Sequence, residues 1–268
     1  MCYTRGTPAD YDAWAADGAH GWAWQSVLPY FLRAEGNSRG ASPLHGGDGP
    51  LAVSDLRHVN PLSQAFVEAG IQAGWPRNDD FNGPTQAGVG LYQVTQRDGA
   101  RCSAAAAYLA PARTRPNLQV VTGALTQRIV VEHGRATGVE YRHRGRLHQA
   151  GASAEVLLCG GAVNSPQLLM LSGIGPAAHL RAQGLPVQAD LPGVGGNLQD
   201  HLDICTLYHC PPGLSYDRAS ELKIAFNWFL RGHRGAGSSN IAEAGGFVRS
   251  ALATDERPDV QFHFVPAM

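Results

Sequence analysis

Apolar residues in the first third of the chain recur at helical spacing. In NPLSQAFVEAGIQAGW, Leu62, Phe66, Ala69 and Ala73 fall at i, i+4, i+7 and i+11, which predicts an amphipathic helix ending at Gly74. Before it, Asp10 is placed to cap a short helix over 11–16, and a second helix is expected over 26–34. Ser103 in RCSAAAAYL caps another, with Pro111 beyond its end. Residues 38–60 carry turn residues and one short strand, 51–53.

From residue 117 the period changes to that of strands. Segments 118–122, 125–132, 136–142, a return near 147 and 155–159 are expected as an antiparallel meander, with turns at Gly123, His133-Gly134 and Gly145. The last of them, in EVLLCGG, is apolar on both faces and predicts the middle of a covered sheet. A helix directly after it makes a βα unit of the doubly wound kind. A helix over 177–183 and a strand over 187–189 follow. The final third alternates ICTLYHC, the amphipathic helix ELKIAFNWFL, and strands in AGGFVRS and PDVQFHFVPAM. The pattern predicts an α/β fold with α+β elements: part of a doubly wound domain carrying a meander, then part of an antiparallel-sheet domain.

Composition narrows the partner. With 268 residues, 44% hydrophobic and 16% charged, the chain has a core to bury. Its 21 basic and 22 acidic residues leave a formal net charge of -1, without the basic field that draws nucleic acid, so a small molecule is the expected partner. The five cysteines form no CxxC pair and match no zinc spacing; they read as reduced thiols of a cytoplasmic protein, Cys159 as a small core residue. No metal site and no run of 18 apolar residues is legible.

Two glycine clusters are candidates for ligand contact. Gly173-Ile174-Gly175-Pro176-Ala177-Ala178 fits the loose G-x-G-x-x-A form, yet it follows a helical segment rather than a strand, which makes it a helix cap and turn. Gly160, Gly161 and Ala162 end the apolar strand, where ligands of open α/β sheets lie and where small residues let a flat cofactor approach the backbone; close helix–strand packing is the alternative. The chain has no G-x-S-x-G, P-loop or HExxH, and its eleven histidines show no triad.

GAVNSPQLLMLSGIG, residues 161–175, resembles throughout its length the second signature of the glucose-methanol-choline (GMC) family of flavin oxidoreductases. HGGDGPLAV, RCSAAAAYLAPA, LPGVGGNLQDH and EAGGFVRS stand in the family's order, closest to its choline dehydrogenase-like branch. The resemblance implies FAD as cofactor. It places Met1 and Cys2 in the segment whose backbone runs along the flavin ring, and Thr126 at the adenine. Gly160, Gly161 and Ala162 fall at the adenosine half, and Asn197 in the NLQDH turn beside the cofactor domain, where a capping role is the alternative.

By the same resemblance residues 1–205 form an FAD-binding region with an insertion near 40–100, and 206–268 begin a substrate-binding sheet. There Glu243, Gln261 and His263 either face a pocket or are ordinary strand residues. The family's first βαβ unit is expected before Met1 and its catalytic His after Met268, so no catalytic residue is assigned. The implied reaction is oxidation of a choline-like or other primary alcohol, with hydride passing to flavin. Beside the alcohol, the expected partner is a complementing polypeptide or a second copy, at a location that is cytoplasmic or at the membrane periphery. A non-catalytic remnant, or one half of a split enzyme, is the alternative.

Overall fold

The computed structural model describes residues 1–267, and its first helix starts with a capping box. Thr7 donates from both its N–H and its Oγ1 to Asp10 Oδ2, each at 2.7 Å, so helix Pro8–Ala16 begins at Pro8 and Asp10 lies inside it rather than capping it. Helix Trp24–Ala34 follows, with Pro29 inside. Strand Glu35–Asn37 then pairs in parallel with Leu51–Val53. Asn60 caps helix Pro61–Gln72 by accepting the Leu62 N–H at 2.8 Å. The alanine-rich segment after Ser103 winds as a π-helical turn, Ala105–Leu109, before the short helix Ala110–Ala112.

The chain folds as two compact units, 1–118 with 206–268, and 119–205. Residues 40–100, expected as an insertion in the cofactor region, thus share a unit with the C-terminal third.

The core of the first unit rests on an antiparallel sheet whose central strand is Ala244–Val248, flanked by Gly88–Leu91 and Val260–Phe264. Val67 from helix Pro61–Gln72 packs on Val89 and Ala244, with Phe66 stacked on Phe264 at 4.9 Å between ring centroids. Burying Val67 and Val89 stabilises the unit by about 2 kcal/mol each. Gly245 is required here: a Cβ at that position would run into the Phe262 carbonyl and the Tyr92 ring. Helix Glu221–Leu230, capped by Ser220, two short 3₁₀ turns and the antiparallel pair Gln96–Arg97 and Ala100–Arg101 complete the unit's regular structure.

The second unit holds the expected meander, Ala124–Glu132, Arg135–His143 and Arg146–Gly151, all antiparallel. Its two tight turns carry His133-Gly134 and Arg144-Gly145, each with positive φ at both residues, as a type I′ hairpin needs. Helix Gly161–Leu171 follows, and Gly173 (φ 81°) turns the chain into the short strand Ile174–Gly175. That strand pairs in parallel with Ala189–Asp190 across helix Ala177–Ala182, so the strand expected at 187–189 is displaced to its end.

Two expected strands, 118–122 and 155–159, are not formed, and the alternating segment 204–210 forms none either. Residues 118–122, 155–159 and 204–210 have no ladder partner among the described residues. Leu157 is 76% exposed and Cys159 is exposed rather than a core thiol. An apolar run signals a preference for burial, but a strand exists only where another strand takes up its N–H and C=O groups. The mixed helix-and-sheet class stands nonetheless. No described helix is long and apolar enough to cross a membrane.

Candidate functional site

The N-terminal segment Met1–Arg5 is held by backbone groups along one edge and by the Asn82 side chain further along. The Tyr3 N–H donates to Gln93 O (2.8 Å) and the Thr95 N–H to Met1 O (2.9 Å), with Cys2 bridged to Val94. Asn82 clamps residues 3–5, accepting the Arg5 N–H at 2.7 Å and donating to Tyr3 O at 2.8 Å.

Arg5 then enters a buried polar cluster. Its guanidinium donates to Glu35 Oε2 (2.5 Å) and Leu44 O (2.6 Å). Glu35, with no exposed surface, also accepts from the Asn37 amide (2.8 Å) and the Gly46 N–H (3.1 Å). The His45 ring lies between Glu35 Oε1 (2.9 Å) and Asp80 Oδ2 (3.0 Å). A carboxylate with this many donors fixes the loop after His45 and the segment before Arg5 together.

Beside Cys2 lies the turn 238–243. The Asn240 Nδ2 donates to Ala242 O (2.8 Å) and to Cys2 Sγ (3.2 Å), while the thiol itself donates to Ala242 O (3.4 Å). Burial pushes the Cys2 thiol up from its ordinary value, which keeps it protonated at neutral pH and slow as a nucleophile. Ile241 adopts φ +71°, a left-handed conformation that a β-branched residue takes only at a cost in energy. Gln96 donates to Ser238 O at 2.7 Å. Two acceptors at this turn, Asn240 Oδ1 and Gln96 Oε1, are buried without a partner among the described residues, each at a cost of about 1–3 kcal/mol. Arg5 Nε is a buried donor in the same condition.

Glu243 does not face a pocket. It is fully buried, and it accepts from the Asn60 N–H (2.6 Å), Ser63 Oγ (2.7 Å), Tyr216 OH (2.5 Å) and Ser239 Oγ (2.5 Å). Four donors fill the carboxylate's lone pairs and tie the helix start at Asn60 and Ser63, Tyr216 and Ser239 to the residue that precedes the central strand. Burial, together with donation to that carboxylate, raises the Tyr216 phenol above its ordinary range. Tyr92, pushed up to about 12 by burial, donates to Phe262 O (2.7 Å) and stacks on the His263 ring (5.3 Å). Gln261 is exposed and its amide reaches the Tyr92 hydroxyl at 3.4 Å.

In the second unit Thr126 sits in the meander opposite Tyr141. Gly160 and Gly161 start helix Gly161–Leu171, where the Gly160 N–H donates to Ser165 Oγ (3.0 Å). Gly161 has φ +87° and open space where a side chain would be, so conformation rather than crowding demands glycine. Gly160, Gly161 and Ala162 are all exposed. Asn197, also at positive φ (53°), accepts from the Gln199 amide at 2.9 Å. Met1 and Cys2 therefore lie in one unit and the other five candidates in the other. The residues that sequence reasoning missed are Asn240, Ile241 and Gln96: only the fold shows an unpaired amide or a left-handed isoleucine.

A family model described as GMC oxidoreductase matches residues 1–203. The chain is 48% identical over 274 aligned residues to an oxygen-dependent choline dehydrogenase of Burkholderia pseudomallei (strain 1710b), covering 99% of this chain and 48% of that protein. It is 46% identical to a protein of the same description from Burkholderia multivorans, with the same two shares of coverage. The chain thus spans about half the length of the curated relatives it matches. Among solved structures, pyridoxine 4-oxidase from Mesorbium loti superposes with TM-score 0.66 at 38% identity, over 72% of this chain and 38% of that one. An FAD-dependent oxidoreductase from Chaetomium thermophilum gives TM-score 0.78 at 28% identity, over 92% and 46%.

Proposed function

Since the chain belongs to the GMC oxidoreductase family, we propose that it works as part of an FAD-dependent oxidoreductase acting on the CH–OH group of choline-like or other primary alcohols. GMC oxidoreductases are FAD-binding flavoproteins. When bound, FAD supplies the acceptor for hydride leaving the carbinol carbon.

The observation that carries the reading is the fixed Met1–Arg5 segment. A flavin ring needs a rigid backbone edge to lie against, and this segment is held by Gln93, Thr95 and Asn82 before any ligand arrives. In the first unit Met1 and Cys2 are assigned to the flavin ring. The Cys2 thiol, held protonated by burial, packs there without competing as a nucleophile. In the second unit Thr126, Gly160, Gly161 and Ala162 are assigned to the adenosine half and Asn197 to the turn beside the cofactor; exposed small residues at the helix start let a cofactor approach the backbone, the Gly160 N–H itself being held by Ser165 Oγ. None of these residues is a base for the alcohol proton, and Glu243, locked by four donors, is not offered for that role.

The test is to purify the 268-residue chain and record flavin absorbance and alcohol-dependent dye reduction. A yellow protein that reduces dye with choline or another primary alcohol supports the reading. A colourless chain that takes up no added FAD overturns it.

A further inference from the structure

We infer that helix Glu221–Leu230 carries the surface on which a second copy of this chain docks, an inference that stands apart from the flavin reading. The helix has two faces to bury. On one, Ile224, Asn227 and Trp228 are half-buried, with Gly237 lying against Ile224 and Trp228 and the Trp228 ring packed on His233 at 4.2 Å between centroids. That face belongs to the unit's own packing. On the other, Leu222, Ala225, Phe226, Phe229 and Leu230 recur at i, i+3, i+4, i+7 and i+8, which aligns them in one stripe. Nothing among the described residues covers it: Leu222 is 84% exposed, Phe226 53%, Phe229 78% and Leu230 74%.

Size and symmetry point to the occupant. At about 150–200 Å² for each whole side chain, the exposed fractions leave roughly 500 Å² of apolar surface per copy. Two such faces laid together bury roughly 1,000 Å², the least that a specific interface needs. A stripe that meets its own copy is self-complementary, as a two-fold contact requires.

Charge sets the direction of the pair. Glu221 opens the helix and Arg231 closes it; both are exposed, and neither has an ion-pair partner among the described residues. Parallel packing would set Arg231 beside Arg231. Antiparallel packing brings each Glu221 to the level of the partner's Arg231, twice over, and opposes the two helix dipoles. Phe226, at the middle of the stripe, then lies at the two-fold axis.

The experiment is sedimentation velocity on the 268-residue chain over about 1–100 μM. The chain is expected to reach twice its mass of 28.4 kDa and go no further, since a two-fold contact closes on itself. Phe226→Glu sets two like charges together at the axis and is expected to weaken the dimer at least about tenfold. Phe229→Glu takes its place if circular dichroism shows the first variant unfolded. Leu147→Glu, at a 60% exposed leucine of the other unit, is expected to leave the dimer intact. Glu221→Arg is expected to weaken it about threefold, and Arg231→Glu added to that variant to restore it. A chain that stays at 28.4 kDa throughout leaves the stripe to a different polypeptide and overturns the inference. So does a dimer indifferent to Phe226→Glu, one broken equally by Leu147→Glu, or association that runs on past two copies. A charge swap that fails to restore the dimer overturns the antiparallel pairing.

Discussion

Ser172 Oγ accepts the backbone N–H of Ile129 at 2.8 Å and donates to Leu168 O at 2.6 Å. One hydroxyl thereby joins the end of helix Gly161–Leu171 to the meander, at a point where Ile129 is only 6% exposed. The serine of the Ser-Gly-Ile-Gly motif is accounted for by this bond. Ser172→Ala leaves a buried N–H unpaired and is expected to lower stability by about 1–3 kcal/mol, read as a shift in the urea midpoint of the chain. An unchanged midpoint would show that water or another group satisfies Ile129.

Glu243→Ala removes the common acceptor of four donors, three of them hydroxyls that must then find other partners. Bonds to a charged group contribute about 1.5–3 kcal/mol each, so the expected loss exceeds about 3 kcal/mol and the variant should be largely insoluble or unfolded on expression. Glu243→Gln keeps the shape but turns an –NH₂ toward donors. It is expected to fall between wild type and alanine in thermal melting.

At Gly245 the smallest possible change tests the packing of the central strand. Gly245→Ala forces a methyl into the Phe262 carbonyl and the Tyr92 ring. Overpacking of this kind costs about 1–3 kcal/mol. Gly161→Ala, by contrast, meets open space and is expected to cost only the strain of its positive φ, about 1 kcal/mol. The two variants compared by denaturation separate crowding from conformation.

Tyr92 sets an alkaline limit. Burial lifts its phenol from 10.0 to about 12, so the fold favours the neutral form. A raised folded pKa gives a contribution that is whole below the unfolded value near 10 and is lost as pH rises through about 12. The stability difference between wild type and Tyr92→Phe is therefore expected to be constant from about pH 7 to 9 and to shrink between about pH 10 and 12. A difference that stays level across that interval would contradict the shift.

Periodicity and turn chemistry made much of this architecture readable in advance. Leu62 and Phe66 mark the helix that covers the sheet, and His133-Gly134 and Gly145 mark both hairpins, because these signals are local. The run at 155–159 misled for a physical reason: hydrophobicity reports what a segment would bury, not which neighbour supplies its hydrogen bonds. Asp10 misled more mildly, since a capping box puts an acidic residue at the third position as readily as a cap puts one at the first. The assignment of Met1 and Cys2 to a cofactor rests on family resemblance, not on a pattern of residues. Asn240 was invisible, because its unpaired oxygen results from commitments made by Cys2 and Ala242, and of the two readings open for Glu243 the sequence alone could not choose, because its donors lie up to 183 positions away.

Strand Gly88–Leu91 has its partner at Ala244–Val248, and the sequence of unit two is spelled out in between. On a ribosome the meander and its helix are complete before the central strand of unit one has been synthesised. Residues 1–118 must therefore wait as a partly ordered chain, with Val89 and Val67 lacking Ala244, until translation has passed the whole of residues 119–205. Closing so long a loop costs only slightly more than closing a shorter one, but it is slow. Until residues 206–268 emerge, the apolar face of helix Pro61–Gln72 lacks the strand it covers, the kind of exposed surface that invites association with other chains.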